Sequence, residues 1–175
     1  MSKDSIALIG FMATGKSTVG KALNDRLGKD YKFIETDQII IEIAGKSIPK
    51  IFAEDGEAIF RDYEVEACKK AARLSKSIIS CGGGVVLNKE NIETLKKTCH
   101  MILLTATPEV IYRRAMGEEK ENRPIINKEE PFKEIKKVLQ YREPYYKSSA
   151  EIIIDTSEKS VERIVEEILT QTKLI

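Results

Sequence analysis

The sequence predicts an α/β fold in which helices cover both faces of a mostly parallel sheet. Five short apolar segments recur along the 175 residues, and segments with helical periodicity separate them. A strand that is followed by a helix and then by a second strand returns in the same direction through a right-handed crossover. The predicted strands are residues 6–9, 32–35, 77–81, 100–105 and 151–154.

The helices are predicted from apolar residues that recur every three to four positions. Pro108 suits the first position of a helix, and Ser160 suits the position that caps one. The predicted helices are residues 16–27, 37–44, 48–53, 57–74, 89–97, 108–116, 128–146 and 160–172.

Length and charge limit the classes of protein that this sequence can specify. A chain of 175 residues has the size of one domain, and we expect residues 1–175 to form a single one. Its 29 Lys and Arg nearly balance its 28 Asp and Glu, so the net charge of +1 gives no general attraction to nucleic acid or to an acidic membrane.

The cysteines and the apolar segments bear on the cellular compartment. Cys68, Cys81 and Cys99 are odd in number and widely spaced, so we expect reduced, buried thiols rather than disulfides or a zinc site. No apolar run approaches the roughly 18 to 20 residues of a membrane span. We therefore expect a cytoplasmic protein.

The segment from Gly10 to Ser17 reads GFMATGKS and matches the phosphate-loop pattern G-x-x-x-x-G-K-[ST]. It lies between a predicted strand and a predicted helix, which is the context that the motif requires. Loop N–H groups and the helix N-terminus bind phosphate, the lysine reaches the β- and γ-phosphates, and the serine hydroxyl binds Mg²⁺. The alternative is a glycine-rich turn. The residues expected to contact the nucleotide here are Ala13, Thr14, Gly15, Lys16, Ser17 and Thr18.

Residues 117–127 form a charged segment with few apolar side chains. Such a segment is ordinarily a solvated loop. In phosphoryl-transfer enzymes, however, a mobile lid often closes over the substrates and brings an arginine to the transferred phosphate. Arg123 is the candidate for that arginine.

Polar residues and glycines follow the predicted strands, where ligands bind in parallel sheets. Glu35 and Asp37 follow the second strand and suit Mg²⁺ binding or proton abstraction, although Asp37 could instead cap the next helix. Gly82, Gly83 and Gly84 follow the third strand. Three successive glycines favour close approach of a ligand to the backbone, and the alternative is a tight turn.

Two arginines indicate an anionic second substrate. Arg61 and Arg142 could each bind a carboxylate through paired hydrogen bonds, and together they would suit an acid. The alternative for Arg61 is an ion pair on its own helix with Glu57 or Glu64.

In order and spacing, these residues resemble the shikimate kinases, which are small P-loop enzymes of the nucleoside monophosphate kinase fold. The resemblance implies a three-layer α/β/α architecture with a five-stranded parallel sheet in the order 2-3-1-4-5 and a mobile lid. It rests on Gly10 to Met12, Phe33 to Asp37, Ile51-Phe52, Gly56-Glu57, Phe60-Arg61 with Glu64, Gly82 to Gly84, Asn122 to Pro124, and Tyr141-Arg142 with Tyr145.

The resemblance also implies roles for individual residues. Shikimate would bind in the region of residues 37–74 and to Asp37, Arg61, Gly82, Gly83, Gly84 and Arg142. ATP would bind to the phosphate loop, Arg114, Arg123 and Lys159, with adenine near Arg113 and residues 155–159. Mg²⁺ would lie near Ser17 and Glu35, and the catalytic residues would be Lys16, Asp37 and Arg123.

Two positions depart from the family pattern. Glu35 stands where the family usually has aspartate, and we expect a tuned rather than a lost metal site. Ala13 stands where many relatives have glycine, which constrains the loop. Cys81, before the glycines, is expected to serve packing.

The resemblance implies ATP-dependent phosphorylation of shikimate to 3-phosphoshikimate, a step of chorismate and aromatic amino acid biosynthesis, by a protein that we expect to be monomeric. The alternatives are another small-molecule kinase of this architecture, such as a gluconate or nucleoside monophosphate kinase, and a non-catalytic nucleotide-binding regulator.

Overall fold

The structure, a computed structural model, describes residues 3–117 and 128–174. Its five strands are β1 (Ser5–Ile9), β2 (Lys32–Glu35), β3 (Ser77–Ser80), β4 (Cys99–Thr105) and β5 (Ile152–Asp155). They form one sheet in the order β2-β3-β1-β4-β5, and every neighbouring pair is parallel. The predicted strand order and direction are therefore confirmed.

Eight α-helices are present in the described ranges, and each predicted helix has a counterpart. They are α1 (Lys16–Leu27), α2 (Thr36–Ala44), α3 (Ile48–Glu54), α4 (Glu57–Ala72), α5 (Lys89–Lys96), α6 (Pro108–Gly117), α7 (Pro131–Ser149) and α8 (Val161–Thr172). A 3₁₀ helix at Val85–Leu87 was not predicted. Within these ranges, none of the helices combines the length and the apolar character needed to cross a bilayer.

The largest difference from the predicted bounds is at α7, which begins and ends three residues later than predicted. Pro131 lies in its first turn, where a missing N–H costs nothing. The helix also continues through Pro144, and because proline has no N–H, the carbonyl of Gln140 loses its helical donor. The Ser149 hydroxyl closes the last turn by donating to the carbonyl of Tyr145.

The sheet has an apolar cluster on each face, because successive side chains of a strand point to opposite sides. In β1, Ala7 and Ile9 contact the cluster formed with α4 to α7, whereas Ile6 and Leu8 contact the cluster formed with α1 and α8. All four are completely buried. This arrangement is the predicted three-layer α/β/α architecture.

Helices α2, α3 and α4 have a smaller apolar cluster of their own. Its buried members are Ile40, Ile51, Phe60 and Ala67, and the rings of Phe52 and Phe60 lie 4.6 Å apart. The cluster fixes α2 against α4. As a result, the predicted substrate residues of α2 and α4 are held at defined positions rather than on loops.

The three cysteines are free and buried, as expected. Burial raises the pKa of the Cys99 thiol to about 11 and that of Cys81 well above its usual range. Cys81 packs in the cluster under α4 to α7. These thiols therefore contribute packing rather than nucleophilic chemistry.

The first prediction concerns this core. Leu23 of α1 is completely buried in the cluster beneath α8, so Leu23→Ala is expected to lower the free energy of unfolding by about 2–5 kcal/mol. Leu74→Ala is the matched control, because Leu74 is 42% exposed, and about 1 kcal/mol or less is expected there. Urea denaturation measures both values. Equal losses in the two variants would contradict the assigned core.

Candidate active site

Several of the predicted site residues follow the strands at one edge of the sheet, because all five parallel strands end there. The phosphate loop follows the central strand β1. Glu35 ends β2, Gly82 to Gly84 follow β3, and Asp155 ends β5. The phosphate loop therefore has one neighbouring region at the ends of β2 and β3 and another at the ends of β4 and β5.

The phosphate loop has three residues with positive φ. At Gly10 (φ 146°) a Cβ atom would overlap the carbonyl oxygen of Leu104, so only glycine fits. Gly15 (φ 102°) directly precedes α1. Ala13 has φ 56°, a left-handed conformation that costs an L-residue about 1–2 kcal/mol. The expected constraint at Ala13 is therefore present.

Lys16 is the first residue of α1, and its side chain folds back over the loop. Its Nζ donates hydrogen bonds to the carbonyls of Gly10 at 2.9 Å and Phe11 at 2.7 Å. The N-terminus of α1 adds roughly half a positive charge beside it. An ammonium group, a helix N-terminus and loop N–H groups together suit a bound polyphosphate.

Ser17 and Glu35 are joined by a hydrogen bond of 2.5 Å from the Ser17 hydroxyl to Oε1 of Glu35. The hydroxyl of Ser80, at the end of β3, lies 3.3 Å from that of Ser17. Mg²⁺ prefers such oxygen ligands, and it commonly takes one or two from a protein and the rest from phosphate and water. These donors therefore fit Mg²⁺, and the longer side chain of Glu35 reaches Ser17 directly.

On the β4 and β5 side, a cavity of about 190 Å³ adjoins the phosphate loop. Arg114 crosses it and donates from Nη1 to the carbonyl of Ala13 at 3.2 Å and from Nη2 to that of Thr156 at 2.8 Å. Lys159 also lines the cavity and pairs with Glu167 at 2.7 Å. Arg113 is exposed. The cavity lies where the sequence predicted adenine.

On the β2 and β3 side, Asp37 faces the first of the three glycines. A Cβ atom on Gly82 would lie 3.0 Å from Oδ1 of Asp37. The N–H of Gly82 donates to the hydroxyl of Thr36 at 3.0 Å, which ties β3 to the start of α2. Helix α2 begins at Thr36 after Glu35, so Asp37 lies in its first turn and does not cap it.

Arg61 forms the ion pairs that were the predicted alternative to binding a carboxylate. It pairs with Glu64 at 3.0 Å and with Glu57 at 3.1 Å on its own helix. Its guanidinium also covers Gly84, where a Cβ atom would lie 2.7 Å from Nη2. The ion pairs hold the guanidinium at the glycine segment, so the two alternatives do not exclude each other.

Arg142 approaches the same segment from α7. Its Nη1 would lie 3.3 Å from a Cβ atom on Gly83, and its guanidinium lies 5.9 Å from the ring centre of Phe11. The hydroxyl of Tyr146, one turn further on, donates to the carbonyl of Gly83 at 2.5 Å. Burial is the main reason that the pKa of Tyr146 rises to about 12, so it remains a donor. Tyr146 was not predicted as a site residue, although its spacing of four from Arg142 places both on one helix face.

Glu64 is a second residue whose place in the site was missed. Its side chain is 1% exposed, and its Oε2 has no hydrogen-bond partner among the described residues. Burial raises the pKa of Glu64 even though Arg61 opposes the shift. The pKa of Asp37 is also raised, mainly because the surrounding protein desolvates its carboxyl group. The residue as a whole is nevertheless exposed. Two carboxyl groups and two arginines thus surround the glycines.

Arg123 and the predicted lid, apart from Gly117 at the end of α6, lie outside the described residues.

The second prediction uses the raised pKa of Glu64. Glu64 holds its proton more tightly in the folded protein than in the unfolded chain. The group therefore stabilises the fold fully below its unfolded pKa of about 4.3, and this contribution is lost as pH rises through its folded pKa. From about pH 4 to pH 7, the wild type should therefore lose more free energy of unfolding than Glu64→Gln. Urea denaturation across this range measures the loss.

The matched control for this pH experiment is Glu66→Gln, the same change at an exposed position of α4. It should keep the pH dependence of the wild type. If Glu64→Gln kept it as well, Glu64 would not be the buried group that titrates.

Comparison with known proteins supports the resemblance found in the sequence. The family model for shikimate kinase matches residues 12–173. A shikimate kinase of Caldanaerobacter subterraneus is 44% identical over 165 residues, which cover 94% of each chain. Among solved structures, a shikimate kinase from Acinetobacter baumannii in complex with shikimate has a TM-score of 0.89 and 29% identity, covering 97% of this chain and 93% of its own.

A gluconokinase from Sinorhizobium meliloti, with a TM-score of 0.61 and coverage of 98% of this chain and 93% of its own, is only 15% identical, and that likeness shows the fold alone. The match along nearly the whole chain, at an identity well above 30%, is to the shikimate kinases. This chain belongs to the shikimate kinase family.

Proposed function

We propose that this protein transfers the γ-phosphoryl group of ATP to a hydroxyl of shikimate, giving 3-phosphoshikimate and ADP in the biosynthesis of chorismate and aromatic amino acids. The observation that carries the proposal is the convergence of Asp37, Arg61 and Arg142 on Gly82 to Gly84, directly beside the phosphate loop. A Cβ atom on Gly83 would lie 3.8 Å from the backbone nitrogen of Met12, so the two regions are in contact.

The nucleotide half of the site consists of groups that stabilise negative charge. Lys16, the loop N–H groups and the N-terminus of α1 bind the phosphates and hold the terminal one toward the glycine segment. Mg²⁺, held near Ser17 and Glu35, supplies charge neutralisation on the phosphates. Arg114 and Lys159 line the cavity that receives adenine.

The acceptor half recognises a small polyhydroxylated acid. Arg61 and Arg142 bind its carboxylate, because a guanidinium group offers paired donors to two carboxylate oxygens. Asp37 accepts hydrogen bonds from ring hydroxyls and orients the one that is phosphorylated. The raised pKa makes Asp37 a better proton acceptor than an ordinary aspartate.

Proton abstraction is a minor part of this catalysis. The transition state of phosphoryl transfer is loose, so the attacking hydroxyl loses its proton late. Positioning of the two substrates and stabilisation of charge by Lys16 and Arg123 supply most of the acceleration. We propose that residues 117–127 close as a lid, bring Arg123 to the phosphates and exclude water.

We also propose that residues 1–175 act as one kinase domain, monomeric and cytoplasmic, without nucleic acid or membrane partners. The nearly balanced charge supports the absence of nucleic acid and acidic-membrane partners, since it provides no general attraction to polyanions.

A coupled assay of ADP release, with and without shikimate, tests the function. We expect ADP release to depend on shikimate and not on nucleoside monophosphates, because the arginine pair matches a carboxylic acid. We expect no release with gluconate, because the chain belongs to the shikimate kinase family and shares only its fold with a gluconokinase. Preference for another acceptor would favour a different small-molecule kinase. ATP binding with no acceptor-dependent release would favour a regulator.

Gly84→Ala tests the acceptor half separately. The added methyl group would displace the Arg61 guanidinium, which lies at the end of a flexible side chain, so the fold should persist. We expect the KM for shikimate to rise at least about tenfold and the KM for ATP to stay unchanged.

Gly83→Ala is the matched control for Gly84→Ala. Its methyl group would lie 3.3 Å from Nη1 of Arg142 and at ordinary contact distance, 3.7 and 3.8 Å, from the carbonyl of Gly10 and the nitrogen of Met12. These contacts need only a small shift, so we expect a clearly smaller rise. Equal KM values for shikimate in the two variants, or a parallel rise in the KM for ATP, would remove Arg61 from the proposed carboxylate site.

A further inference from the structure

Thr156 lies directly after β5 and is 2% exposed, yet its hydroxyl serves three partners. The hydroxyl oxygen lies 2.7 Å from the carbonyl of Thr14 and 3.1 Å from that of Thr105, and it accepts a hydrogen bond from Nη1 of Arg114 at 3.1 Å. A hydroxyl has one proton to donate, and the shorter contact assigns it to Thr14. Thr156 therefore joins the loop after β5 to the phosphate loop.

Thr156 and Arg114 together bind two successive carbonyls of the phosphate loop. Arg114 donates to the carbonyl of Ala13, and Thr156 donates to that of Thr14. Ala13 is the residue held at φ 56°, a conformation that alanine leaves readily when nothing holds it. The two carbonyls belong to consecutive peptide groups, Ala13–Thr14 and Thr14–Gly15, and the contacts fix the orientation of both.

Fixing these carbonyls also fixes the N–H groups that follow them. The described chain has no cis peptide bonds, and in a trans peptide the C=O and N–H point in opposite directions. With the carbonyls of Ala13 and Thr14 directed at Arg114 and Thr156, the N–H groups of Thr14 and Gly15 point the other way, into the loop. There they are available to a phosphate oxygen.

We propose that Thr156 is a positioning residue for the phosphate loop: its hydroxyl, together with Arg114, holds Ala13 in the left-handed conformation and aims the N–H groups of Thr14 and Gly15 before the nucleotide binds. The inference rests on the proposed binding of ATP, and ADP affinity tests it without any acceptor. A protein that binds ADP but does not phosphorylate shikimate would contradict the proposed function and leave this inference standing.

The test compares Thr156→Val, which keeps the shape and removes the hydroxyl, with Thr156→Ser, which keeps the hydroxyl. The main-chain contacts from Thr156 to Arg114 and Thr105 remain in both variants. Calorimetry with ADP and Mg²⁺ should show about tenfold weaker binding for Thr156→Val and less than about threefold for Thr156→Ser. The KM for shikimate should not change.

Adenosine separates an effect on the loop from an effect on the neighbouring cavity, since it has no phosphate. In competition experiments, adenosine affinity should change less than about twofold in Thr156→Val. An equal loss for adenosine and ADP would overturn the proposal, because Thr156 would then act on the adenine cavity alone. Affinity for ADP equal to that of the wild type would overturn it as well.

Ala13→Gly tests the role of the left-handed residue. Glycine adopts φ 56° without strain, so the Thr156 hydroxyl should matter less in this background, and adding Thr156→Val should weaken ADP binding by less than about threefold. An undiminished tenfold loss would overturn the proposed link to Ala13. Thermal melting checks that each variant folds, and Thr156→Ala replaces Thr156→Val if the valine variant does not.

Discussion

The central position of β1 in a fully parallel sheet determines the layout of the whole molecule. All five strands end at one edge, and the phosphate loop leaves the middle of that edge. The elements after β2 and β3 therefore lie on one side of the loop, and those after β4 and β5 lie on the other. Two substrates, one bound on each side of the loop, can therefore both reach it.

The proposed acceptor side is built from backbone rather than from a cleft of apolar side chains. The absence of side chains at Gly82 to Gly84 lets Asp37, Arg61 and Arg142 approach the same stretch of main chain from three different helices. Glu64 is a buried carboxyl group beside them and pairs with Arg61. Burial removes water from this carboxyl group, which opposes its ionisation, whereas the guanidinium of Arg61 favours it. The site thus contains fixed charges whose positions are set by helices packed around their own core.

The positions of strands and helices, and the grouping of the residues proposed to bind the acceptor, could be predicted from the sequence, because period, glycine placement and the phosphate-loop motif are local signals. The strand order was implied by the resemblance to the shikimate kinases. The long-range partners could not be predicted. Nothing in the local pattern shows that Thr156 reaches Thr14, or that Tyr146 reaches Gly83, since each pair is brought together only by the completed sheet and by α7. The start of α7 was misplaced because residues 128–130 continue a polar, helix-compatible pattern before Pro131.

The direct hydrogen bond between Ser17 and Glu35 has a consequence for the thermodynamics of metal binding. A serine hydroxyl rotates freely unless something accepts its proton, and Glu35 accepts it at 2.5 Å. The lone pairs of Ser17 are then directed away from Glu35 before a cation arrives, and no bridging water has to be immobilised between the two side chains. On the proposed assignment of Ser17 as a ligand of Mg²⁺, this hydrogen bond orients the hydroxyl before the cation binds and so lowers the entropy lost on binding.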